Sequence, residues 1–111
     1  CFVMCIFFVG HCCSLNDITI GTVRTGQEVR GVPEWRVTVY NTCHCTIKQV
    51  KLRCQGFKSA EAVDPKILLP QGDLCLVNNG LPLTASSSVS FSYAWDPPFV
   101  MFPSFFVTVN C

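Results

Sequence analysis

Three of the nine cysteines in this 111-residue chain fall within residues 43–54, in the run Cys43-His44-Cys45-Thr46-Ile47-Lys48-Gln49-Val50-Lys51-Leu52-Arg53-Cys54. Residues two apart on a strand project to the same side, so a strand here puts Cys43 and Cys45 on one face. Their Cβ atoms then run parallel and lie too far apart for a relaxed mutual bridge. Each is therefore expected to reach a different sulfur elsewhere in the chain. Cysteine at this density, directly after a β-patterned run, marks the disulfide hub of a small secreted β domain.

The length leaves room for one domain and no second core. Half of the residues are apolar, only 14% are charged, and the formal net charge is +1. That balance excludes a disordered chain, a nucleic-acid footprint and a trap for acidic substrates. Residues 1–9, CFVMCIFFV, are apolar without a break, and Gly10-His11-Cys12 leads into the first polar run. They read as the end of a signal peptide, with Gly10 and Cys12 at the −3 and −1 positions of a cleavage site. The segment is too short to span a membrane, for which about 20 apolar residues are needed. A buried N-terminal strand is the plainer alternative. The expected organisation is thus residues 1–12 as leader and 13–111 as a single stapled β domain. Six cysteines then remain: Cys13, Cys43, Cys45, Cys54, Cys75 and Cys111. Six allow fifteen pairings, and spacing does not choose among them.

Residues 15–25 are rich in β-branched side chains and read as one or two short strands, with residues 27–33 as a polar turn. From Trp35 the alternation is clean, with Trp35, Val37 and Val39 on one face. Continued unbroken, that parity takes in Cys43, Cys45 and Ile47, whereas beyond it the apolar set is Val50, Leu52 and Cys54. A period of two changes parity only through an added residue, so a bulge or turn is expected near Lys48-Gln49. Residues 59–63 have the composition of a single helical turn, ended by Asp64-Pro65. Leu74 to Val77 reads as a short buried strand, followed by the turn Asn78-Asn79-Gly80. Val89, Phe91, Tyr93 and Trp95 alternate with small residues before Asp96-Pro97-Pro98 breaks the strand. Phe105, Val107, Val109 and Cys111 share a face of the last segment. Six to eight short strands with no amphipathic helix give an all-β fold, a small disulfide-stabilised antiparallel sandwich or open barrel.

Little catalytic material is present. Beyond the leader only His44 remains, flanked by cysteines expected to be oxidised, so it has no free thiol to activate. Cys-His-Cys lacks the usual spacing of a thiolate zinc site, and neither metal nor cofactor is expected. Asn41-Thr42-Cys43 is only the rare cysteine form of a glycosylation sequon. The distinctive polar surface is the turn Asp96, Pro97, Pro98 and Phe99, together with Arg30 and Arg36 near the preceding turn. These six are the candidate partner-contact residues. Alternation places Tyr93 and Trp95 in the core, and the alternative is an exposed aromatic platform for sugar. The run 99–103 is either core or contact surface.

The chain resembles the plant tapetum-determinant-1-like secreted proteins. The resemblance runs through Cys13 to Gly26, Pro33-Glu34-Trp35, Val37-Thr38-Val39 and the Cys43/Cys45 pair. It continues in Lys51-Leu52-x-Cys54-x-Gly56-Phe57, Val63-Asp64-Pro65, Gly72-Asp73-x-Cys75-Leu76, Phe91 to Pro98 and Cys111. Arg36 stands where family members often carry a glycosylated Asn. The resemblance implies a small extracellular ligand of a leucine-rich-repeat receptor kinase, acting in the apoplast to specify the tapetal layer and limit sporogenous cell number. It implies neither an enzyme nor a nucleic-acid or membrane partner once the leader is gone, and leaves the oligomeric state open. A cell-wall carbohydrate-binding module is the alternative class. Thiol alkylation of material collected from the medium is expected to label none of the six cysteines before reduction and all six after it.

Overall fold

A computed structural model describes residues 13–110; the leader expected over 1–12 and the terminal Cys111 lie outside the described residues. A short 3-10 turn, Leu15–Asp17, opens the fold under a capping box in which Ser14 and Asp17 satisfy each other's backbone groups. Strand β1 (Ile18–Val29) then pairs antiparallel with β2 (Val32–Asn41), and β2 with β6 (Ser88–Ala94). The other sheet has the order β4-β5-β3-β7, from β3 (Thr46–Arg53), β4 (Leu68–Gln71), β5 (Leu74–Val77) and β7 (Phe102–Asn110). All pairings are antiparallel. Val37, Val39, Phe91 and Tyr93 of the first sheet bury against Ile47, Leu52, Leu68 and Val77 of the second, which makes the fold a β-sandwich.

The parity argument holds residue by residue. Cys43, Cys45 and Ile47 are buried, as are Val50, Leu52 and Cys54. Between the two sets the β3–β7 register shifts at Lys48/Lys51, where Gln49 takes a φ of 53°. That added residue turns the even-numbered side chains inward. Gly80 sits against the Gln49 carboxamide so closely that a Cβ there would lie 2.8 Å from Nε2.

Three expectations are corrected. The polar turn expected over 27–33 is shorter than that: β1 runs to Val29, β2 starts at Val32, and only Arg30-Gly31 turns the chain. Both turn residues have positive φ, 53° and 83°, the geometry that matches the twist of a two-residue hairpin. Residues 59–63 form no helical turn; Ala60 N–H donates to the Ala94 carbonyl at 2.7 Å, and Ser59 Oγ accepts from Ala94 N–H. The segment extends the free edge of β6 instead. Cys43 and Cys45 sit in the bend between β2 and β3 rather than on a strand, although both still face the interior.

That bend is held by Asn41, whose side chain is buried. Its Nδ2 donates to the carbonyls of Cys45 (2.9 Å), Leu83 (3.0 Å) and Thr84 (3.2 Å), and its Oδ1 accepts from Cys43 N–H (3.0 Å). Loss of the carboxamide would break these bonds at a buried bend, although the Leu83 and Thr84 carbonyls keep donors in Ile47 N–H and Ser87. Asn41→Ala is therefore expected to cost roughly 3 kcal/mol, read as a lower urea midpoint at unchanged m.

Candidate functional site

The hub lies at one end of the sandwich. Cys13 is bonded to Cys43, and Cys54 to Cys75, across 30 and 21 residues of sequence. Cys45 is also in a disulfide. The Sγ atoms of Cys13, Cys43 and Cys45 lie within 4.8 Å of one another, but as disulfide sulfurs they offer no thiolate to a metal. His44 is exposed on the bend between Cys43 and Cys45.

At the opposite end of β2 the expected contact residues are spread out. Arg30 occupies the exposed tip of the β1–β2 hairpin, which runs past the end of β6. Arg36 lies opposite Ser92, about 20 Å from the hairpin tip by strand rise. It lines an open cleft of about 380 Å³ with Ile67, Ser90, Phe91 and Ser92. Asp96, Pro97 and Pro98 form an exposed turn joined to the hairpin base, where Trp95 N–H donates to the Pro33 carbonyl at 3.2 Å. Phe99 turns inward, 5.4 Å from the Phe57 ring, and its N–H donates to the Tyr93 hydroxyl at 2.7 Å.

The aromatic platform is not formed. Tyr93 has no exposed surface, and its burial pushes the phenol above its usual range. Trp95 is half-buried and packs on the core, while its carbonyl accepts from Trp35 Nε1 at 2.9 Å. The apolar run 99–103 divides: Met101 is buried, whereas Val100 and Phe102 face solvent.

One pair of carboxyls converges. Glu34 leaves the outer face of β2, and Thr25 Oγ1 donates to its Oε1 at 2.7 Å. Glu61 comes from the segment laid along β6, lies within hydrogen-bonding reach of Glu34, and keeps Oε1 buried with no partner. The Thr25 hydroxyl holds Glu34 below the ordinary carboxylate value of 4.5, helped by Glu61 and by Arg36; desolvation pushes Glu61 above it. A single proton shared between the two relieves the like-charge contact. Spacing in sequence gave no hint of this pair, because 27 residues separate its members and only the extra edge pairing at Ala60 brings them together.

A small antiparallel β-sandwich of two sheets carrying buried disulfides is the class that the fold defines. The family model for tapetum determinant 1, C-terminal, matches residues 14–111, and the chain belongs to that family. It is similar to TPD1 protein homolog 1 of Arabidopsis thaliana, 36% identical over 89 residues that cover 78% of this chain and 50% of the relative. It is equally similar to TPD1 protein homolog 1A of Oryza sativa subsp. japonica, 36% identical over 97 residues, covering 79% of this chain and 43% of the relative. The chain thus spans about half the length of the curated relatives it matches. No solved structure matches it.

The carboxyl pair sets a pH dependence. Glu61, with its folded value raised, stabilises the fold fully below about 4.5 and loses that contribution as pH rises through the raised value. Glu34, with its value lowered, contributes above about 4.5 and loses that contribution as pH falls through the lowered value. Glu61→Gln keeps a donor for Glu34 without the charge. Urea midpoints measured across pH are expected to fall less steeply on the alkaline side in this variant than in the parent.

Proposed function

We propose that this protein is an extracellular signalling ligand that binds the ectodomain of a plant leucine-rich-repeat receptor kinase and, through it, directs tapetal cell fate in the anther. The observation that carries the reading is that the family match and the stapled sandwich occupy the same residues, from Ser14 onward. Disulfides of 21 and 30 residues each remove roughly 3–4 kcal/mol of chain freedom from the unfolded state. A domain this small then presents a fixed surface and loses little further freedom on binding. In this reading residues 1–12 are a leader, and residues 13–111 are the domain released to the apoplast. Signalling follows if the ligand binds one receptor arrangement better than the other and so shifts the population. No step of it requires catalysis, a metal or a cofactor.

Gel filtration of the secreted protein with purified leucine-rich-repeat receptor-kinase ectodomains is expected to give a stoichiometric complex. Retention on insoluble wall polysaccharide with no ectodomain complex would replace this reading with the carbohydrate-binding one. Charge reversal at Arg30 or Asp96 is expected to weaken the complex without lowering the melting temperature.

A further inference from the structure

The two sheets carry different outer faces. On the β1-β2-β6 sheet the outward positions mix the small hydroxyl side chains Thr19, Thr38, Ser88 and Ser90 with Arg36 and with two exposed apolar residues, Val23 and Tyr40. On the β4-β5-β3-β7 sheet they are large and apolar along β7 and cationic along β3. Phe102, Phe105, Val107 and Val109 of β7 are 58%, 46%, 37% and 40% exposed, on a strand of nine residues with no charge. The cross-strand registers continue the apolar surface to the other edge, because Phe105 lies beside Lys51, Lys51 beside Leu76, and Leu76 beside Leu69. Surfaces of this kind on a small protein mark contact sites.

Charge picks out the occupant. The central strand of this face, β3, carries Lys48, Lys51 and Arg53, and none of the four strands contains an acidic residue. Lys51 Nζ lies 5.7 Å from the Phe105 ring centroid, a cation set over an aromatic face. Two copies of the chain laid face to face would set this cationic row against itself, which is costly. A partner with carboxylates among apolar residues would complement both the charge and the apolar surface.

We propose that the outer face of the β4-β5-β3-β7 sheet is a protein-docking surface for an acidic, apolar patch on the receptor ectodomain. This rests on the receptor-ligand reading and adds which face of the ligand is used and what chemistry it meets. The cations orient the encounter and fix its register, while burial of the β7 side chains supplies the adhesion.

The test uses the ectodomain that forms the gel-filtration complex, with affinities measured over a range of salt. Lys48→Glu combined with Arg53→Glu alters two exposed side chains and is expected to weaken binding at least tenfold and flatten its salt dependence. Val107→Ser is expected to weaken binding severalfold with the salt dependence kept. Lys58→Glu combined with Lys66→Glu makes the same change in net charge elsewhere and is expected to leave affinity within about twofold. If the parent binds and the Lys48/Arg53 variant binds equally well, this inference falls while the ligand reading stands. If the parent binds no ectodomain, both fall. A parent protein that elutes as a dimer broken by Val107→Ser, or that binds phosphatidylserine vesicles through the same residues, would assign the face to a second copy or to a lipid surface and overturn the proposal.

Discussion

At Asn41 the chain leaves one sheet for the other, and the rest of the sandwich depends on how that crossing is made. A crossing takes backbone groups out of the ladder of either sheet, here at a bend whose side chains alternate between buried and exposed. The Asn41 carboxamide bonds four backbone groups at once, from both sides of the bend and from the strand-like bridge at Leu83. Cys43 then ties the same bend to Cys13 at the start of the domain. Polar satisfaction and covalent constraint therefore act on one five-residue bend. The hydrogen bonds fix its shape, and the disulfide keeps the N-terminal turn against it even where apolar burial is thin.

The second staple acts inside one sheet. Cys54 and Cys75 are buried at the end of β3 and in β5, so their bond joins neighbouring chain segments rather than the two layers. The layers are held together by side-chain packing, with Tyr93 at the centre between Phe91, Phe57 and Phe99. Phe57 and Phe99 both come from irregular segments, one before β4 and one after β6. The aromatic cluster thus fastens two irregular connections to the core, and its phenol satisfies the Phe99 amide as well. This is why the loop-rich end of the molecule can present the turn at 96–98 in a defined position.

Much of this architecture was legible because strand parity is rigid. The change from odd to even inward positions across Lys48-Gln49 required an extra residue, and one is there. What the sequence concealed depended on partners distant in the chain. Arg30-Gly31 lacks the Asn-Gly signature of a tight hairpin, so all of residues 27–33 read as a polar turn; strand pairing on both sides overrides the reluctance of Arg to take a positive φ. Residues 59–63 have helix-compatible composition, yet the unpaired edge of β6 at Ala94 offered a better set of hydrogen bonds. The shared face of Phe105, Val107 and Val109 was read correctly as a face, but periodicity does not say which side is wet. Phe106 and Thr108 are the ones that turn inward, and Phe106 joins the core.

The charge layout gives the last step. Net charge is +1, too small to attract or repel a partner at a distance by itself. Its distribution is uneven. Around Glu34 the acids are matched by Arg24 and Arg36 of the same sheet, while Lys48, Lys51 and Arg53 line the outer face of the other, whose strands hold no acidic residue. In the receptor-ligand reading, a nearly neutral molecule with one uncompensated cationic face is turned, more than pulled, by the field of a charged surface. In that reading turning matters because a domain held by disulfides has little freedom to reshape itself around a partner. The staples that remove the freedom to adapt thus make the arrangement of a few exposed charges decisive.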